Sequence, residues 1–168
     1  MTNSDLAAIL REAMVAERDG FTFYSVAAER AEDPGARETF AELAADERAH
    51  FDALQTGYKA LLAGESWMPP RGRAESRGPS ASGIFSDGFV RRIAGKHFEM
   101  SALSIGILLE KNAHAFYSRR AAEAQDEEVS RFFRELAEWE NDHYELLLRQ
   151  DEAVKEAYWS ENRFAPLL

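Results

Sequence analysis

The sequence predicts an all-α chain: a four-helix bundle of two repeat-related antiparallel helical hairpins joined by a long crossover connector. Three observations predict it. Apolar residues recur at helical spacing through two long blocks, residues 4–63 and 97–158. The stretch between them, residues 64–96, changes to Gly, Pro, Ser and Arg. The two blocks are also copies of each other, offset by 93 residues with no gap. At 168 residues the chain has the length of one domain with a sizeable core, closed by a short tail, residues 159–168.

The first helix is predicted from about Ser4, with Asn3 or Ser4 able to cap it. Its apolar stripe is Leu6, Leu10, Ala13, Met14, Phe21, Tyr24 and Ala28. Asp33-Pro34 interrupts the stripe. Asp is a good N-cap and Pro suits the first helical position, so a second helix starts there. It continues through Phe40, Leu43, Ala44, Phe51, Leu54, Tyr58 and Leu61, and stops near Gly64. In the connector, Ser86 or Asp87 can cap a short helix within 84–95 carrying Phe89, Val90 and Ile93. Arg71, Arg73, Arg77, Arg91, Arg92 and Lys96 also fall there, either as a solvated counterweight to an acidic bundle or as a basic patch. The third helix starts near His97 or Phe98 and carries Leu103, Gly106, Ile107, Phe116, Tyr117 and Ala121. Asp126, with Glu127 and Glu128 behind it, caps the last helix, since acids suit the positive end of the helix dipole. That helix is expected to run to about Tyr158.

Composition narrows the function. The net charge of -10 argues against phosphate-mediated nucleic-acid binding and against an anionic membrane surface. No run reaches the ~18 apolar residues of a membrane helix, and residues 1–20 lack the apolar core of a signal peptide, so a cytoplasmic location is expected. There is no cysteine, which excludes disulfides, zinc ribbons, iron–sulfur clusters and thiol catalysis. Any metal site must therefore use oxygen and nitrogen donors.

The repeat identifies where such a site would be. Glu17 falls on Glu110, Phe23-Tyr24-Ser25 on Phe116-Tyr117-Ser118, and Asp33 on Asp126. Glu42-Leu43-Ala44 falls on Glu135-Leu136-Ala137, Glu47 on Glu140, His50 on His143, and Leu54 on Leu147. Glu17, Glu47, Glu110 and Glu140 each sit inside an apolar stripe. His50 and His143 follow Glu47 and Glu140 by three residues and share their faces. Burying four unpaired carboxylates is prohibitively costly, and neighbouring stripe positions offer no Lys or Arg. Two divalent cations would balance the four charges, with the imidazoles as neutral donors. One Glu from each of two helices plus Glu-x-x-His from each of the other two is the di-iron carboxylate arrangement. Iron or manganese suits this donor set, and zinc remains open. Tyr24, Tyr117 and Tyr144 are either hydrogen-bond donors or radical relays near the site, or core tyrosines. Trp67, Trp139 and Trp159 read as packing or interface residues.

The residues 16–24 (Ala-Glu-Arg-Asp-Gly-Phe-Thr-Phe-Tyr), 46–51 (Asp-Glu-Arg-Ala-His-Phe), 109–117 and 138–143 resemble the rubrerythrin-like branch of the ferritin-like superfamily. The resemblance covers both hairpins and implies a ferritin-like bundle. It implies that Glu47 and Glu140 bridge two irons, with Glu17 and His50 terminal on one, Glu110 and His143 on the other. It implies action on hydrogen peroxide or dioxygen, with ferrous iron as a further substrate candidate. The alternative is a non-catalytic iron storage or delivery protein, and a helical interaction module with a vestigial site is a third reading. Relatives usually add a rubredoxin domain built on four cysteines. This chain has none, so a separate electron-donor protein is the expected partner, together with a second copy in a homodimer. Relatives also usually carry an extra Glu one turn after the third-helix ligand. Ala113 holds that position here, and the next residue, His114, is either an additional ligand or bonded to water or backbone.

Overall fold

A computed structural model describes residues 3–65 and 97–161, and places four helices in them: α1 (Asn3–Arg30), α2 (Pro34–Leu62), α3 (His97–Glu123) and α4 (Glu127–Glu161). Helix α1 already includes Asn3, so that residue does not cap it. Helix α4 runs three residues past the expected Tyr158, because Trp159, Ser160 and Glu161 bring no helix breaker. The short helix expected within 84–95, Trp67 and the basic connector residues lie outside the described residues.

Both hairpin turns are built alike. The Asp33 carboxylate accepts from the backbone N–H of Gly35 and Ala36 at 2.8 and 3.1 Å. Asp126 accepts from Glu128 and Val129 at 2.9 and 3.1 Å. Each Asp thus satisfies orphan donors in the first turn of its helix. Asp33→Ala should lower stability by about 1–2 kcal/mol, at the upper end for an N-cap because Asp33 is buried; urea denaturation reads this directly. A third carboxylate joins the first turn from the other hairpin. Buried Glu99, in the first turn of α3, accepts from the N–H of Glu32 at 2.9 Å.

Helices α1 and α2 pack along each other, as do α3 and α4, while α1 meets α3 more sparsely. Tyr24 reaches Glu110 and Tyr117 reaches Glu17, so α1 and α3 run antiparallel. Asp46 reaches His143 and His50 lies on Trp139, so α2 and α4 do too. Every neighbouring pair is antiparallel, and the diagonal pair α2 and α3 runs parallel. The end of α2 and the start of α3 therefore lie at opposite ends of the bundle, which is why a crossover is needed. No helix among the described residues is long and apolar enough to cross a membrane.

The core divides into two clusters related by the repeat. One holds Tyr24, Phe40, Leu43, Leu103 and Leu147, and the other Tyr117, Phe133, Leu136, Leu10 and Leu54. The same ring packing recurs in each: Tyr24 stacks on Phe40 at 6.3 Å and Tyr117 on Phe133 at 6.1 Å. The predicted Glu and His residues lie between the two clusters, at mid-height of the bundle.

Candidate metal centre

Each helix contributes by its periodicity. Glu17 on α1 and Glu110 on α3 are one repeat apart, as are Glu47-x-x-His50 on α2 and Glu140-x-x-His143 on α4. All six side chains are buried. They form two overlapping groups: Glu17, Glu47, His50 and Glu140, and Glu47, Glu110, Glu140 and His143. In each group the donor atoms lie within 4.8 Å of one another, and Glu47 and Glu140 belong to both. The Nδ1 of His50 is 3.0 Å from Glu140 and 3.3 Å from Glu17. The Nδ1 of His143 is 3.6 Å from Glu110 and 3.8 Å from both Glu47 and Glu140.

The donor atoms facing inward are the ones left without hydrogen-bond partners: Glu17 Oε2, both oxygens of Glu140, and the Nδ1 atoms of His50 and His143. Buried polar atoms are rarely orphaned in a protein interior. Five of them converging on one region, in a cluster of four carboxylates and two imidazoles, fit a divalent-metal site in donor type, and the four carboxylates could balance two such cations.

Two residues that sequence reasoning placed only near the site turn out to cross between hairpins. The Tyr24 hydroxyl donates to Glu110, and the Tyr117 hydroxyl donates to Glu17. Each tyrosine therefore serves the carboxylate of the opposite hairpin rather than its own. Burial first, then the facing carboxylates, raises both phenols well above their ordinary value, so they stay protonated donors. Tyr24→Phe should cost about 1.5–3 kcal/mol in the metal-free protein, the range for a buried hydrogen bond to a charged acceptor, and Tyr117→Phe a similar amount. Gly106 makes room for this contact, since a Cβ there would stand 3.0 Å from the Tyr24 hydroxyl oxygen.

Asp46 was missed. Its Oδ2 lies 3.2 Å from His143 Nε2, on the outward side of the ring. The residue precedes Glu47 by one, so it points away from Glu47's own face, and only the packing of α2 on α4 reveals it. Trp139 stacks on His50 with centroids 4.8 Å apart and planes 11° apart. His114 is not brought to the cluster: its Nδ1 lies 2.9 Å from the carbonyl oxygen of Ala137. Tyr144 is half-buried.

Without metal, protons do the balancing. Burial and then the neighbouring carboxylates push Glu47 and Glu140 well above the usual carboxylate range. For Glu110 burial acts upward, but His143 brings it below its ordinary value. For His143 burial opposes charge, yet Asp46 and the carboxylates Glu110 and Glu140 outweigh it and hold its pKa at about 10.

A cleft of about 520 Å³ opens between α1 and α3 and reaches Glu17, Glu47, Glu110 and Glu140. Small residues, Ala16 and Gly20 on α1 and Ala113 on α3, leave it open. Gly20 does more: a Cβ there would stand 2.6 Å from Glu47 Oε2. Gly20→Ala should displace the Glu47 carboxylate and weaken divalent-metal binding roughly tenfold or more, whereas Ala113→Gly should not. Equilibrium titration with Co(II) distinguishes the two.

Residues 8–150 match the family model described as Rubrerythrin. No curated protein and no solved structure gives a match.

Proposed function

The chain belongs to the rubrerythrin family, and from that premise we propose that it is a di-iron carboxylate oxidoreductase reducing hydrogen peroxide or dioxygen. The observation that carries this reading is the pair of donor groups sharing Glu47 and Glu140, with five orphaned buried donor atoms facing one another. In this reading Glu47 and Glu140 would be shared between the two irons, Glu17 and His50 would hold one, and Glu110 and His143 would hold the other. When bound, two ferrous ions supply the two electrons that reduce an O–O bond.

The chain's own residues do the rest. The α1–α3 cleft admits a small oxidant to the carboxylates while the two apolar clusters exclude bulk water above and below. Tyr24 and Tyr117 keep their protons and fix the terminal carboxylates, so that Glu110 and Glu17 each present an oxygen inward. Electrons come from a donor protein outside this 168-residue sequence, since the sequence holds no cysteine for an iron–sulfur donor. A homodimer belongs to the same reading. Ile105 and Leu108 on α3 are 47% and 59% exposed, an apolar face suited to a second copy.

The test is iron loading followed by metal analysis and visible spectroscopy. Two irons per chain, with a charge-transfer band that reductant bleaches and peroxide or dioxygen restores, is the expected result. Two irons that never cycle would favour storage or delivery. Failure to bind iron while holding zinc tightly would sink the redox reading.

A further inference from the structure

The repeat pairs every ligand with an equivalent, but it does not pair their supports. Shifted by 93 residues, Asp46 falls on Trp139. Asp46 lies against the outward nitrogen of His143 at 3.2 Å. Trp139, in the matching place of the other half, lies flat on the His50 ring instead. Among the described residues, the only carboxylates within ion-pair reach of His50 are Glu17 and Glu140, both on its inward Nδ1.

These two supports differ in kind. A carboxylate on Nε2 fixes the tautomer with the proton outward, leaving the Nδ1 lone pair aimed at the metal, and it makes that nitrogen a stronger donor. A stacked indole fixes only the plane of the ring. It sets neither tautomer nor donor strength, because its contact is with the face and not the ring nitrogens.

We propose that the two metal positions are unequal: the one at Glu110 and His143 fills first and tightly, and the one at Glu17 and His50 fills second and exchanges readily. The inference rests on the two-metal reading of the site. Loss of such a support typically weakens a metal site 10–100-fold, so the two affinities should differ by about that factor.

Anaerobic Co(II) titration of the metal-free full chain, followed by calorimetry and native mass spectrometry, reads the difference. Two resolved steps are expected, with a one-metal species accumulating midway. Paramagnetically shifted proton spectra of that species should show one histidine ring N–H, lost in His143→Gln and kept in His50→Gln. Asp46→Asn should weaken the first step about 10–100-fold and merge the two. Trp139→Asp should tighten the second step and bring it toward the first, while Trp139→Phe, which keeps a stacked ring, should leave both steps in place. Should Trp139→Asp not fold, the Asp46→Asn merger carries the test. Two equal steps in the wild-type chain would overturn the inequality, and first occupancy at His50 its proposed order, each while leaving the site intact. No Co(II) binding at all would overturn the site reading, and the inequality with it.

Discussion

Glu140→Gln should empty both metal positions together, whereas Glu17→Gln should empty one. Glu140 belongs to both donor groups, and neither of its oxygens has another partner. A carboxamide offers one weakly donating oxygen where two anionic ones stood, and it removes one of four charges that two divalent cations require. Glu17 belongs to a single group, and the other group, Glu47, Glu110, Glu140 and His143, survives its loss intact. Metal analysis after loading with Fe(II) or Co(II) should therefore return close to two metals for the wild-type chain, one for Glu17→Gln and none for Glu140→Gln. Stability should move the opposite way in the metal-free protein. There Glu140 is a buried acid among three others, with burial and then those carboxylates raising its pKa well above the usual range, so a neutral isostere removes the cost of keeping it protonated at neutral pH and should raise Tm. A variant that loses metal and gains metal-free stability is hard to explain by misfolding. If Glu140→Gln retained one metal, the bridging role proposed for it would be refuted.

The buried cluster of Glu and His was legible in the sequence because two rules conflict there. Helical periodicity puts Glu17, Glu47, Glu110 and Glu140 on buried faces, and solvation energetics says isolated carboxylates do not belong on them. The 93-residue repeat made the conflict occur twice at matching places, which a chance burial would not. The hairpin turns were legible for a local reason, since Asp33 and Asp126 act on backbone groups two and three residues away. What stayed hidden depends on the register between hairpins. The partners of Tyr24, Tyr117, Asp46 and Glu99 lie 66 to 100 residues away. No periodicity within one helix specifies which residue of another hairpin stands opposite. The repeat even obscured Asp46 and Glu99, because their equivalents are Trp139 and Leu6. Asymmetric contacts are invisible to an argument that works by matching halves.

The protons that stand in for metal give a second large effect, in the dependence of stability on pH. His143 has its pKa raised from 6.5 to about 10 in the fold. Between those values the folded metal-free chain holds a proton that the unfolded chain has released. Its stabilising contribution is complete below pH 6.5 and is lost as pH rises toward 10. Glu47 and Glu140 act in the same direction: each is raised well above 4.5, so the fold keeps their protons over a range where the unfolded chain is ionised. Glu110 is lowered, so its contribution changes only below pH 4.5 and does not oppose the others at neutral pH. Each proton held by the folded state alone costs about 1.4 kcal/mol of stability per pH unit of rise. The metal-free protein should therefore lose Tm steadily from pH 6.5 to 9. Divalent ions bound at this cluster would take the place of those protons, and their binding would become more favourable as competing protons leave. The metal-bound protein should hold its Tm over the same range, and the gap between the two forms should widen with pH. Calorimetric scans of both forms at pH 6.5, 7.5 and 8.5 check the sign. A metal-free Tm that rose across this window would mean that the buried carboxylates are already ionised, and that something other than protons balances them.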